Sequence, residues 1–237
     1  MIGVTCGLNP PTVTPPANGA ASSALAISIG ASVPTGNYPF SVTGTSGTLT
    51  RSAALTLVLT RTVYFDNFET ATGWVTNPAG TDTATRGRWE RGRPEQYTAG
   101  GIILQNATTP SGVNDLVTQA STSASNGDID GGVTSIQSPP IALPSGVPTL
   151  TFAYYLAHRN DSSADDFFRV SIVGPSGTTM VFQELGTAVN DSASFTTRTV
   201  DLSAFAGQTI RILFAAGDLA TDQLLEAAVD DVKIVVQ

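Results

Sequence analysis

The residues best equipped for chemistry are acids, and they come in short clusters. These are Asp66/Glu69, Asp128/Asp130, Asp165/Asp166 and Asp230/Asp231, with Glu226 just ahead of the last pair. Calcium takes about six to eight oxygen ligands from carboxylates, carbonyls and water. The run Asp128-Ile-Asp130 followed by Gly131-Gly132 lets two carboxylates and a tightly curled backbone converge on one ion. The spacing is not that of an EF-hand loop. Consecutive strand residues face opposite ways, so one acid of each adjacent pair can serve one ion unless the backbone bulges. The competing reading is a set of solvated turn carboxylates and strand-end caps.

Aromatic rings are the second resource. Trp74, Trp89, Tyr97, Tyr154 and Tyr155 could form a sugar-stacking surface. Tyr154 and Tyr155 sit between Phe152 and Leu156 in a strand-like run, which sends one of them to the core. Trp89 lies among Arg86, Arg88, Arg91 and Arg93. That grouping reads either as an anion- or sugar-binding loop, with Arg91 as a candidate ligand residue, or as Arg stacked on Trp and paired with Glu90 or Glu95.

Catalytic patterns are sparse. The one histidine, His158, excludes a two-histidine metalloprotease helix, and the one cysteine, Cys6, excludes an internal disulfide and a Cys-rich zinc site. No G-x-S-x-G elbow occurs. Five glutamates are present without an E-x-D-x-x-E arrangement. The chain therefore reads as non-enzymatic.

The elements that must position these residues are strands. Of 237 residues, 13% are charged, against about 25% in an average domain. Thr (33) and Ser (21) fill the difference, with 23 Gly and 14 Pro. Such a composition suits short strands and turns, and excludes a coiled coil, collagen and a helical bundle. Residues 1–65 hold two Arg and no acid, a charge of +2; residues 66–237 hold nine bases and all 19 acids, a charge of −10. This asymmetry implies two domains, 1–62 and 63–237. The acidic balance argues against nucleic acid, which needs a basic footprint. No apolar run approaches the ~20 residues of a membrane span, and the first residues do not read as a secretory signal.

In the first part, strands are expected around Leu25–Ile29, Tyr38–Thr43 and Arg51–Thr60. The second part shows nine strand candidates: 63–68, 101–104, 133–137, 149–156, 167–173, 180–185, 195–201, 209–215 and 227–236. Thr221–Ala228 is helix-like before it gives way to a period of two. Nine strands in this length point to a two-sheet jelly roll.

The stretches GVTCGLNPPTVTPP and VPTGNYPFSVTGTSG with a closing strand resemble immunoglobulin-like repeats of large secreted bacterial proteins. By this resemblance a complete sandwich starts roughly 25–35 residues earlier. Met1 is then an internal start or a fragment boundary, and an exposed strand edge is expected. The second part resembles the MAM- and P-domain-like jelly-roll modules of secreted bacterial peptidases and carboxypeptidases. The residues that carry this are Asp66-Asn-Phe-Glu69 with Gly73-Trp74, Trp89-Glu-Arg-Gly92, Asp128-Ile-Asp-Gly-Gly132, Leu150–Tyr155, Leu202–Ile212 and Glu226–Ile234. The resemblance implies an all-β chain: a truncated immunoglobulin-like β-sandwich followed by a two-sheet jelly-roll β-sandwich. It also implies a structural calcium held by Asp66, Glu69, Asp128, Asp130, Asp230 and Asp231, because first and last strands of a jelly roll often adjoin.

The resulting expectation is a secreted, extracellular, non-catalytic accessory module of a bacterial hydrolase. It would bind a polysaccharide or an extracellular protein polymer through Trp74, Trp89, Tyr97 and Arg91, beside an upstream catalytic domain. The alternative is a stability cap or interdomain spacer with no ligand of its own.

Overall fold

The computed structural model describes residues 3–120, 128–219 and 223–237. Met1, and Thr221 and Asp222 at the head of the helix-like stretch, lie outside them. The chain divides into two compact units, Met1–Thr60 and Arg61–Gln237, where composition placed the boundary after residue 62.

In the first unit, β1 (Val4–Asn9) pairs antiparallel with β2 (Ala24–Ile29). A second hairpin joins β3 (Gly36–Ser46) to β4 (Leu49–Leu59). Its turn uses Gly47 at φ 58°, a conformation that costs glycine little. Tyr38, Phe40 and Val42 alternate with exposed Pro39 and Ser41, the period-two signature of a strand with one covered face. No described residue of this unit is buried.

The second unit holds β5 (Arg61–Asp66), β6 (Val75–Thr76), β7 (Trp89–Gly92), β8 (Tyr97–Ala99), β9 (Ile102–Gln105), β10 (Asp115–Thr118), β11 (Gly132–Gln137), β12 (Ile141–Ala142), β13 (Pro148–His158), β14 (Phe167–Gly174), β15 (Gly177–Leu185), β16 (Thr196–Asp201), β17 (Thr209–Asp218) and β18 (Leu225–Val236). One six-stranded sheet runs β16-β13-β18-β10-β7, with β5 also pairing β18; the other runs β15-β14-β17-β11-β6, with β12 also pairing β17. All these pairings are antiparallel. The chain is thus all-β, and its second unit is a two-sheet β-sandwich. The only helical turn among the described residues is the short 3-10 segment Ser203–Phe205. Leu225–Ala228, expected to be helix-like, belong to β18, because the β-branched run that follows extends the strand.

Alternation builds the core. Ile210, Ile212, Phe214 and Ala216 of β17 point inward, as do Phe168, Val170 and Ile172 of β14, against Leu150, Phe152 and Tyr154 of β13. Phe152 meets Phe214 at 5.8 Å and Phe168 at 6.4 Å between ring centroids. The β13 sheet is also covered on its outer side. There Val117, Tyr155, Ala157 and Ala228 pack under Leu104 of the β8–β9 hairpin. Tyr154 and Tyr155 are therefore both buried, one on each face of the same sheet.

Candidate functional site

The end of β18 sets the site. Thr151 pairs with Lys233 and Ala153 with Asp230, so β18 carries one residue more than β13 across this interval. The bulge falls at Asp231, whose φ is 49°. Its effect is to turn two consecutive acids toward one segment: the Ser111 amide donates to Asp230 Oδ2 at 3.1 Å and Ser111 Oγ to Asp231 Oδ1 at 2.7 Å. Glu69 holds the same segment from the other side. Its Oε1 accepts the amides of Val113 at 2.9 Å and Asn114 at 2.8 Å. Those two amides hold its carboxyl below the usual carboxylate range. Gly112, between Ser111 and Val113, has φ 66°, and a Cβ there would collide with the Glu69 carboxyl.

Asp66 does not join this group. β5 and β18 do adjoin, with Val232 opposite Asp66. The Asp66 side chain nevertheless lies on the inner side, with Tyr64 and Trp74 of the core rim. Four donors occupy its two oxygens: Phe68 N–H at 2.9 Å, Trp74 Nε1–H at 2.9 Å, Tyr64 O–H at 3.2 Å and the Thr72 hydroxyl. Asp130 is elsewhere again, bridged to Arg86 at 3.2 Å. Asp128 is buried and lies near Glu226 and Tyr97. The six expected calcium ligands therefore fall into separate places. Among the described residues no three acid, His or Cys side chains converge to hold an ion. Glu69, Asp230 and Asp231 are the ones gathered around one loop. Asp166 is a loop staple, accepting from Ser162 Oγ, Ser163 N and Leu219 N.

The expected aromatic surface is corrected likewise. Trp89 is 1% exposed and donates Nε1–H to Thr134 O inside the sandwich, so it offers no ring to a ligand. Trp74 is half-buried, stacked on Phe214 at 5.3 Å. Arg91 is exposed, yet its guanidinium is tied to backbone carbonyls, Nε to Phe68 O at 2.6 Å and Nη2 to Glu69 O at 2.9 Å. It clamps the turn after β5. Tyr97 is half-buried in the β8–β9 hairpin. His158 is buried, with Nδ1 2.9 Å from Arg159 O.

Residues not singled out from the sequence form a different surface. On the outer face of the sheet, Phe65, Lys233, Thr151 and Thr199 stand in register across β5, β18, β13 and β16. A groove of about 360 Å³ opens there, lined by Phe65, Pro110, Thr151, Thr197, Asp231 and Lys233. Phe65 is 53% exposed. Lys233 makes no ion pair with a described residue. The available signal was Lys233 itself, the only lysine, on the polar phase of an alternating strand.

No protein-family model matches the chain, and no curated protein sequence does. Solved structures with a similar fold include the K3 cleaved adhesin domain of Lys-gingipain from Porphyromonas gingivalis. It is 18% identical, covers 74% of this chain and 98% of that one, and superposes with a TM-score of 0.48. A carbohydrate-binding module of the β-sandwich superfamily is 11% identical over 90% of this chain and 80% of its own, at 0.49. A third, TmCBM61 in complex with β-1,4-galactotriose, is 10% identical over 69% and 88%, at 0.43. Identities and superpositions of this size leave function to be argued from the chain's own side chains.

Beside the groove, on the same outer face, lies a buried acidic layer. Leu116 pairs with Val229, which sets Asp115 across from Asp230 one step along. Burial first, then the Asp230 charge, pushes the Asp115 carboxyl up to about 8. Asp230 is pushed up to about 7, by burial first, against the pull of the Ser111 and Asp231 amides. Glu226 is fully buried and well above the usual range, chiefly through burial, and accepts the Thr118 hydroxyl at 2.7 Å.

Proposed function

We propose that the second unit is a non-catalytic module that attaches a secreted protein to a polysaccharide through the outer face of its β13 sheet. The observation that carries this is the in-register row Phe65, Lys233 and Thr151, which lines an open groove and is continued by Thr199. An exposed ring offers an apolar face to the C–H side of a sugar, while an ammonium group and hydroxyls serve its oxygens. Among the described residues Asp231 is the one carboxylate lining the groove, whereas glycoside hydrolysis uses two. This favours holding over cutting. Calcium enters the reading beside the 109–114 loop, which Asp230 and Asp231 hold through Ser111 and whose Pro110 forms a wall of the groove. An extracellular location and a catalytic domain elsewhere in the parent protein complete the proposal.

The test is depletion of the full chain onto a panel of insoluble polysaccharides and collagen, in calcium or EDTA. The expected result is selective loss onto one polysaccharide in calcium, at least tenfold weaker for Phe65→Ala. Equal loss of the variant and the wild type, or no loss onto any polysaccharide, overturns the reading. A second reading, a stability cap or spacer, is favoured by the burial of Trp89 and the backbone ties of Arg91. Failure of every polymer to deplete the protein selects it.

A further inference from the structure

The acidic layer holds oxygens that the fold leaves without partners. Asp115 is 0% exposed, and neither carboxylate oxygen has a hydrogen bond. The Tyr155 hydroxyl, 2% exposed, is also without one, although the Asn106 backbone amide approaches it. It lies close enough to Asp115 and Glu226 for both to disfavour its ionisation. Gln105 spends its side-chain N–H on Ala120 O at 2.8 Å, and its Oε1 is buried and unpartnered. Orphaned buried oxygens of this kind cost roughly 1–3 kcal/mol each, more when charged. A cation meets the need of the Asp115 and Tyr155 oxygens at once.

We propose that Asp115, with its cross-strand neighbour Asp230 and the Tyr155 hydroxyl, holds a calcium ion against the outer face of the sheet. The donors are all oxygens, the set that suits a hard cation. Calcium accepts irregular cages at variable coordination, whereas magnesium demands an octahedron and retains water. Asp230 accepts one amide on each oxygen and keeps lone pairs for an ion. Through the Ser111 amide, the same ion fixes the loop that walls the groove. The inference rests on the reading of the second unit as a calcium-ordered module and moves the ion to a residue outside the expected set.

The experiment is isothermal titration of the metal-stripped full chain with calcium chloride, and separately with magnesium chloride. The comparison is between wild type, Asp115→Asn, Tyr155→Phe and, as a control, Asp130→Asn. Wild type binds calcium saturably and tighter than magnesium. Asp115→Asn weakens calcium at least tenfold, Tyr155→Phe several-fold, and Asp130→Asn not at all. In EDTA above pH 8, where both carboxyls are ionised, the amide also raises the melting temperature by removing a buried repulsion, and it abolishes the calcium shift. Asp115→Asn and Tyr155→Phe that titrate like wild type overturn the placement but leave the calcium-ordered module standing. A wild type that takes no calcium overturns both. If Asp115→Asn does not fold, Tyr155→Phe alone decides.

Discussion

The two units spend the same strand-and-turn vocabulary very differently. In the first, four strands form two hairpins, and Tyr38, Phe40 and Leu57 line shallow apolar pockets without becoming buried. In the second, two sheets of six strands face each other over Phe152, Phe168 and Phe214, all fully buried. Two-stranded ribbons are marginal in water because one hairpin cannot cover its own apolar face. Alternation makes a strand; a second sheet makes a core.

The comparison can be broken by mutation, and the largest effect belongs to the core. Phe214→Ala should cost about 3–5 kcal/mol in denaturant unfolding, while Phe40→Ala in the first unit should cost less than about 1 kcal/mol. Equal costs would remove the distinction. Asp66→Ala strands the buried Phe68 amide and weakens the hold on Trp74, and should cost about 2–3 kcal/mol by the same measurement.

The acidic layer sharpens the contrast through pH. Unfolded aspartates release their protons near pH 3.9, whereas folded Asp115 and Asp230 keep theirs to about 8 and about 7. Asp115 faces Asp230 and Tyr155; Asp230 also faces Asp231 and Glu69. Between these limits the folded state binds more protons, so the stability these groups contribute falls as pH rises. In EDTA the second unit should melt at least about 5 °C lower at pH 8 than at pH 4.5, and calcium should flatten that slope. The smallest effect is at the surface: Arg86→Ala breaks the ion pair with Asp130 and should cost under about 1 kcal/mol.

The division into units was legible because acids are missing from residues 1–65, and the long strands because period two survives in runs such as Thr209–Ala216. Short strands such as β7 and β10 escaped; all four residues of β10 are buried, so it shows no alternation to read. With β10 went Asp115. The sequence also hid which face each acid takes. Asp66 and Asp230 sit on adjoining strands but on opposite sides of one sheet. The bulge that turns Asp231 beside Asp230 is set by pairing with β13, which a local pattern does not contain. Trp89 was readable: Arg88 and Glu90 are exposed and the ring between them points in, as alternation requires.

The most direct measurement is retention of the full chain on the polysaccharide that depletes it, with one ring removed from each unit. Phe65→Ala, on the outer sheet face, should lose at least tenfold in retention, and Phe40→Ala, in the first unit, should retain like wild type. Loss by Phe40→Ala with Phe65→Ala unaffected would contradict the account and place binding in the unit without a core.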